Sequence, residues 1–398
     1  MTTETMTAST PMTPKICLFL QDLHGGGAER VMLRLAAGIA ARSYAVDLVL
    51  IKREGAYLDS IPPGVRLVVL NTRRTLNSVA ALAGYLRRER PAAMLTALVH
   101  VNVGALLAST LSRARTRVIV TEHSQITRNF AALTSRTVKL AYRMVPRVYP
   151  LATRVVAVSG GVADDLATFS GMGRDTISVI HNGIVTPELY ARAAEPCDHP
   201  WLAPGEPPVI MAAGRLAPVK DFAALIRAFA DLRARRRARL LILGEGELRG
   251  ELEKLASDLG VADDVGMPGF YANPYAAMSR ASVFVQSSQW EGLPSVLVEA
   301  MACGTPVVAT DCPGGTREIL DDGRLGILVP MNDDRAMADA ILRTLDQPVQ
   351  TNEMARKVEE FTLDRAVDTY LELALGPQAV RRPLVHPRMA QPEAGVNR

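Results

Sequence analysis

Two glutamates, Glu291 and Glu299, stand eight positions apart in SSQWEGLPSVLVEAMACGTPVVA, residues 287–309. The residues between them read as the start of a helix. Pro294 suits the first helical position, where its missing N–H costs nothing, and Gly304 suits the stop. Glu291 then sits on the incoming loop. Glu299 falls in the second turn, about 7 to 8 Å along the axis from Pro294 at about 1.5 Å per residue. Free backbone N–H groups lie between them. Such a pair offers acceptors for sugar hydroxyls at two depths, and the helix start offers an electropositive edge for phosphate. The alternative is two solvated carboxylates flanking an ordinary helix.

Other residues would complete that chemistry. GRLAPVKDF supplies Arg215 and Lys220; a rigid guanidinium fork and a mobile ammonium together neutralise a diphosphate as its charge develops. QDLHGGGAERVMLRLA places Gly25, Gly26 and Gly27 at a helix start, where the backbone can approach an anion closely. The run RVIVT ends in Glu122, His123 and Ser124. Ser159, after RVVAV, either lines the same site or caps the next helix. Gly244, Glu245 and Gly246 end another strand, and Pro268, Gly269 and Phe270 follow the weaker DDVGM. Five arginines in RARRRAR, residues 233–239, read as a solvated face or a secondary anionic contact. No D-x-D occurs, so a metal-independent site is expected.

The E-x7-E spacing, with its EGLP opening and EAMACGTPVVA exit, closely resembles the signature of retaining, nucleotide-sugar-dependent glycosyltransferases of family 4. That resemblance spans roughly residues 15 to 375. It implies the α/β GT-B fold, two doubly wound Rossmann-like domains facing a central cleft. It assigns Glu299 to the ribose hydroxyls of the donor and Glu291 to the sugar-ring hydroxyls. Arg215 and Lys220 would stabilise the departing diphosphate, with amides near Gly26, Gly27, Gly292 and Leu293 assisting. His123 would orient the sugar, and the loop at Phe270 would border the nucleobase. The donor implied is a UDP-hexose, a UDP-N-acetylhexosamine or GDP-mannose, with no cofactor. The family often carries an acidic residue where HNGIVTPELY has Val185, and VGMPGF departs from its pattern before the nucleobase loop. GGGAERV and CPGGTREIL resemble enzymes that extend polyprenyl-diphosphate-linked oligosaccharides for exopolysaccharide, capsule or O-antigen, and a soluble glycan acceptor stays open. Two other readings stay open: a GT-B nucleotide-sugar epimerase that needs no acceptor, and a non-catalytic donor-binding scaffold of a polysaccharide assembly complex.

The elements that must position these residues are legible as alternation. Short apolar runs at ICLFL, VDLVLI, VRLVVL, AAMLTAL, RVIVT, RVVAVS and TISVIH alternate with helical stretches, which argues for a parallel sheet with right-handed crossovers. After a Pro-, Ala- and charge-rich stretch to Pro208 the pattern restarts with PVIMAAG, RLLILGEG, SVFVQSS and TPVVATD. The expected organisation is a disordered 1–13, an acceptor-side domain 14–185, a nucleotide-sugar-binding domain 186–361, a crossing helix 362–375, and a disordered tail 376–398. Each motif above falls at a strand's carboxyl end, where open α/β sheets bind ligands.

At 398 residues and 48% hydrophobic, the chain supports two domains with sizeable cores. Cys17, Cys197, Cys303 and Cys312 show no paired spacing and read as reduced thiols of a cytoplasmic protein. Residues up to 185 hold 22 Lys and Arg against 11 Asp and Glu, and those beyond hold 23 against 30. The basic half points to an anionic partner. Arg128, Arg136, Lys139, Arg143, Arg147 and Arg154 cluster around apolar positions, which reads as a helix lying on an anionic bilayer, hence a peripheral protein of the cytoplasmic face, or as a solvated basic face. Nucleic acid is disfavoured, because no reading motif accompanies the charge. Pro91–Ser112 is uncharged over 22 residues, enough to span a bilayer. His100, Asn102 and Gly104 at its centre favour a buried strand to Val99, a polar turn and a helix.

Overall fold

Apolar runs with no polar face form strands that are covered on both sides, as parallel sheets require. In a computed structural model of the chain, residues 13–24, 26–72, 75–347, 351–377 and 379 are described. Gly25 and most of the two termini expected to be disordered lie outside these residues.

The first sheet comprises β1 (Lys15–Leu20), β2 (Ala45–Leu50), β3 (Val65–Val69), β4 (Ala93–Ala97), β5 (Arg117–Glu122), β6 (Arg154–Ala157) and β7 (Ile177–Val179). Its order is β3-β2-β1-β4-β5-β6-β7. The second comprises β8 (Val209–Ala213), β9 (Arg239–Leu243), β10 (Val265–Gly269), β11 (Val283–Gln286), β12 (Val307–Thr310) and β13 (Ile327–Val329). It runs β10-β9-β8-β11-β12-β13 and is parallel throughout. Each sheet reverses its direction of growth once, at β1/β4 and at β8/β11. These are the switch points at which a doubly wound sheet opens a crevice beyond its strand ends.

The helix Phe222–Arg235 shows how the second sheet is covered. Phe222, Leu225, Ile226, Phe229 and Leu232 recur at helical spacing and are buried with Ile210, Leu240 and Ile242 of the sheet and Met337 and Ile341 of the helix Asp334–Asp346. Fully burying each such side chain contributes roughly 1.5–3 kcal/mol.

Compactness divides the chain differently from the sheets. Described residues up to Val120, with Leu151–Thr153 and those from Val367 on, form one unit; Thr121–Pro150 with Arg154–Ala366 form the other. The sheets themselves change over between Val179 and Val209. In the second unit Val185 pairs with Thr362. In the first, the later part of the helix Leu363–Leu375 is tied by an Arg42–Asp368 ion pair at 2.7 Å and an Arg117–Ala374 carbonyl bond at 3.0 Å.

Some expectations need correction. Residues 91–112 fold as strand then helix, but β4 stops at Ala97 and no polar turn intervenes: Leu98 alone makes the turn at φ 75°, and His100 and Asn102 lie inside the helix Val99–Ser112. The basic segment is two helices, Ile126–Ala132 and Arg136–Val148, separated at residues 133–135, where Ser135 caps the second through the Val138 amide. β13 went unforeseen, because a three-residue edge strand is too short to show a period. Among the described residues, no helix is long and apolar enough to cross a membrane.

Candidate functional site

The β8/β11 crevice is built by two loops laced together. After β8 the chain passes Gly214 and Arg215 into a turn, Pro218–Lys220. It reverses at Asp221 (φ 45°), which caps the next helix by accepting from the Ala224 amide at 3.2 Å. The loop after β11 is bound to it: the Ser287 hydroxyl donates to the Lys220 carbonyl at 2.7 Å, and the Gln289 amide to the Val219 carbonyl at 2.8 Å. The result is a charged pair. Lys220 Nζ meets Glu291 Oε1 at 2.6 Å, and the Ser288 hydroxyl donates to the same oxygen at 2.7 Å. Both side chains are largely enclosed, so the pair is screened less than a surface pair. Oε2 of Glu291 has no partner among the described residues, and neither does the exposed Arg215 guanidinium. Trp290, next in sequence to Glu291, lies under the Arg128 guanidinium at 5.9 Å.

Glu299 lies deeper, at 2% exposure, on the helix Ser295–Ala302. Tyr275 donates to its Oε1 at 3.3 Å. Pro294 is the N-cap and not the first helical residue: its φ of −68° is helical, but its ψ of 91° is not. Its carbonyl accepts from the Leu297 amide at 3.0 Å. Gly304 ends the helix at φ 79°, the left-handed conformation such stops demand.

His123 follows β5 and shares the second unit with these residues. Its Nε2 lies 2.9 Å from Thr121 Oγ1, and its Nδ1 is buried without a partner. Burial pushes the imidazole down to about 4, so it stands neutral at pH 7. The His123 carbonyl occupies the space a side chain on Gly292 would need. Gly292 O accepts from Ser159 Oγ and from the Gly315 amide, both at 2.9 Å. Ser159 also caps the helix Gly160–Ser170 through the Val162 amide at 3.3 Å. A Cβ on Gly314 would overlap the Glu291 carbonyl, and one on Gly315 would lie 2.8 Å from Leu293 and 2.9 Å from Ser159. Three loops therefore close on one another only because glycine stands at 292, 314 and 315.

The structure thus brings His123, Lys220, Glu291, Gly292 and Leu293 into one contiguous set, with Arg215 adjoining along the chain and Glu299 beneath. Phe270 follows β10 at 89% exposure, after a register shift between Gly266 and Gly269. Gly26 and Gly27 belong to the first unit, where the Glu29 carboxylate fills the space beside Gly26. The arginine cluster is largely neutralised by Arg233–Asp264, Arg235–Asp339, Arg236–Asp346 and Arg239–Glu206 pairs. Sequence reasoning missed Ser288, Tyr275 and Glu318. The last accepts from His181 at 2.6 Å and from the Gly160 amide at 2.8 Å. Burial raises the Glu318 carboxyl, but those bonds outweigh it and hold the group below the usual range. Tyr275 carried no signal in the sequence, whereas Ser288 adjoined the motif.

The profile described as Glycosyltransferase Family 4 matches residues 25–187, and that described as Glycosyl transferases group 1 matches 198–361. The chain belongs to the family 4 glycosyltransferases. This glycosyltransferase is 27% identical over 355 residues to the N-acetylgalactosamine-N,N'-diacetylbacillosaminyl-diphospho-undecaprenol 4-alpha-N-acetylgalactosaminyltransferase of Campylobacter jejuni, covering 83% of the chain and 90% of that protein. It is 32% identical over 228 residues to the lipopolysaccharide core biosynthesis glycosyltransferase LpsE of Rhizobium meliloti, covering 55% of the chain and 63% of LpsE. Among solved structures, Anabaena HepE in complex with UDP superposes with a TM-score of 0.69 at 21% identity, covering 90% of the chain and 98% of HepE. At that identity the likeness shows fold alone, and the fold is GT-B.

Proposed function

We propose that this glycosyltransferase moves a sugar from a nucleoside diphosphate donor to a glycan hydroxyl with retention of the anomeric configuration, without a metal ion. The observation that carries the reading is the Lys220–Glu291 pair beside the unpartnered Arg215 at the β8/β11 switch point. There the held Lys220 ammonium and the free Arg215 guanidinium meet a diphosphate, and Glu291 Oε2 accepts from a sugar hydroxyl. Glu299 takes the ribose hydroxyls, Phe270 borders the base, and amides at Gly292 and Leu293 assist. The neutral His123 orients the transferred sugar.

No nucleophile is assigned, so a front-face step fits. The acceptor oxygen bonds to the anomeric carbon as the bond to the diphosphate oxygen breaks. The electron pair leaves with the diphosphate, whose oxygen takes the acceptor proton. The nucleotide is a uridine or guanosine diphosphate; the UDP bound by HepE supports uridine. The undecaprenyl-diphosphate acceptor named for the Campylobacter relative supports a lipid-linked glycan, and LpsE supports polysaccharide assembly.

A lipid acceptor requires the enzyme to reach a bilayer. On the helix Arg136–Val148, Arg136, Leu140, Arg143 and Arg147 recur at one-face spacing, and all four are exposed, Leu140 at 57%. A basic face with an apolar centre suits an anionic surface, which supports a peripheral position on the cytoplasmic face.

A thermal-shift panel of UDP, GDP and ADP with their sugars tests donor binding, and NMR of the product's anomeric proton tests retention. A ligand present at 100 times its Kd adds about 2.7 kcal/mol. Absence of any nucleotide-dependent shift overturns the donor site. An inverted product overturns the front-face step.

A further inference from the structure

Two bonds from different loops converge on one carbonyl beside Glu291. The Gly292 carbonyl accepts from the Ser159 hydroxyl, on the loop after β6, and from the Gly315 amide, on the loop after β12, both at 2.9 Å. A third bond joins those two loops to each other: Glu318 Oε2, on the helix Thr316–Ile319, accepts from the Gly160 amide at 2.8 Å. Ser159, Gly292, Gly315, Glu318 and Gly160 therefore form a closed circuit, all of it within the second unit.

Side-chain packing does little to set the spacing here. The loops meet on bare glycine: a Cβ on Gly292 would strike the His123 carbonyl, one on Gly314 the Glu291 carbonyl, and one on Gly161 the Gly314 carbonyl. With few side chains to interlock, hydrogen bonds must fix the loops against one another. Glu291 is held in the same way. Its amide donates to the Pro313 carbonyl at 2.9 Å, two residues before Gly315 of the circuit.

Glu318 closes the circuit with charge-assisted bonds. Its carboxylate sits at the start of the helix Gly160–Ser170, where a free amide and the helix dipole both favour an anion. Burial would raise the carboxyl, but the bonds from His181 and Gly160, with the charge of Lys357 nearby, outweigh it and keep the group ionised. An anion only accepts, so His181, 2.6 Å from Oε1, must present Nε2–H.

His181 is anchored in turn. Its ring lies 4.8 Å from that of the fully buried Phe361, tilted by 30°. The Phe361 carbonyl accepts from the Ile184 and Val185 amides at 2.8 and 3.0 Å, and the Leu363 amide donates to the Val185 carbonyl at 3.0 Å. Glu318 thus spans from a stitched joint, residues 181–185 with 361–363, to the loops that hold Glu291. A plain helix cap needs only the Gly160 bond. The tie of the second oxygen to His181 makes the carboxylate a brace.

We propose that Glu318 is a positioning residue for transfer: pinned by His181, it holds the loops after β6 and β12 together, so that the Gly292 carbonyl keeps Glu291 and His123 at the spacing the sugar ring needs. The role rests on the glycosyltransferase reading above. Arg215, Lys220 and Glu299 lie outside the circuit, so the grip on a nucleoside diphosphate should survive its loss.

Two measurements on the full-length protein test this: amide exchange followed by mass spectrometry, and hydrolysis of UDP-glucose, UDP-N-acetylglucosamine and GDP-mannose. In Glu318→Ala the amides of Glu291 and Gly315 should exchange at least about ten-fold faster than in the wild type, while those of β8 and of the helix Ser295–Ala302 keep their wild-type rates. The kcat of hydrolysis should fall at least about ten-fold, with the Kd for UDP or GDP within about three-fold. Glu318→Gln, which keeps an acceptor for the Gly160 amide, should recover most of both losses. Ser159→Ala opens the same circuit at its other side by deleting one buried atom, and should speed exchange at Glu291 even if Glu318→Ala fails to fold. Unchanged exchange at Glu291 overturns the proposal, whether in Glu318→Ala or, where that variant does not fold, in Ser159→Ala. Equal losses of kcat and nucleotide affinity overturn it too, since they would make Glu318 a structural cap. Absence of hydrolysis and of nucleotide binding in the wild type would instead strike the glycosyltransferase reading, and the exchange comparison would then decide alone whether Glu318 holds the loop.

Discussion

Lys220 and Glu291, 71 positions apart in sequence, meet at 2.6 Å where the second sheet reverses its direction of growth. Neither is placed by its own element alone. Lys220 is delivered by a turn after β8 and Glu291 by the loop after β11, and Ser287 and Gln289 stitch the two together. Desolvation of the largely enclosed pair offsets most of its Coulomb gain, so its net worth to stability is small. In the proposed transfer step its worth is larger, because the diphosphate develops charge where the ammonium is already held. Lys220→Ala should therefore leave the melting temperature within a few degrees while lowering kcat for transfer at least about 100-fold. Calorimetry and initial rates on one preparation would separate the two. Equal small losses in both would return Lys220 to the surface cations.

Glu299 and His123 should part company. Glu299→Ala should weaken nucleoside diphosphate binding about ten-fold or more, the scale of a lost charge-assisted hydrogen bond at about 1.5–3 kcal/mol. Titration calorimetry with the best nucleotide reads it. His123→Ala should mainly slow transfer and leave that affinity nearly intact. A matching loss of affinity in both variants would contradict the separate roles.

His123 also predicts a pH dependence of folding. Its ordinary value is 6.5 and burial depresses it to about 4 in the folded protein. The unfolded chain therefore binds the proton first as pH falls. Stability from this group is complete above pH 6.5 and declines by up to about 1.4 kcal/mol per pH unit down to about pH 4. Denaturant midpoints at pH 4.5 and 7.5 should differ less in His123→Gln than in the wild type. An unchanged difference would show that the ring is open to water.

Much of this was legible in the residues. The strand runs gave both sheets except β13, because strands buried on both faces leave continuous apolar runs. The glutamate pair, Arg215 and Lys220 were singled out from side-chain chemistry together with the family resemblance, and the structure brings Lys220 and Glu291 together. What sequence could not supply was proximity between distant loops. Tyr275 reaches Glu299 from 24 positions away, and Gly314 is required by the Glu291 carbonyl. The arginines at 233–239 read as a solvated face or an anionic contact until their carboxylates arrived, Asp339 and Asp346 from one helix about a hundred residues on, Asp264 from 31 residues on and Glu206 from before the cluster.

The glycines around Glu291 allow a controlled comparison. At Gly314, φ 128° is closed to L side chains and a Cβ would overlap the Glu291 carbonyl. Gly304 holds φ 79°, but nothing lies within 4 Å of its added Cβ. Gly314→Ala should cost more than Gly304→Ala, since it adds a clash of about 1–3 kcal/mol to the left-handed strain. It should also displace Glu291 and suppress transfer, whereas Gly304→Ala should retain transfer. Crystallography of both would show whether the loop or the inserted methyl gives way.

The helix Arg136–Val148 carries the last prediction. Its exposed Arg136, Arg143 and Arg147 have no partners among the described residues, so their charge is not cancelled locally as that of residues 233–239 is. Each basic residue near an anionic surface contributes about 1 kcal/mol. Reversing all three to Glu should abolish co-sedimentation with phosphatidylglycerol vesicles and leave nucleotide binding unchanged. Leu140→Ser, removing the apolar centre, should weaken vesicle binding less, and what remains should fall steeply as salt rises past 0.15 M, where the screening length is about 8 Å. Binding by the triple variant equal to that of the wild type would assign these arginines to solvent.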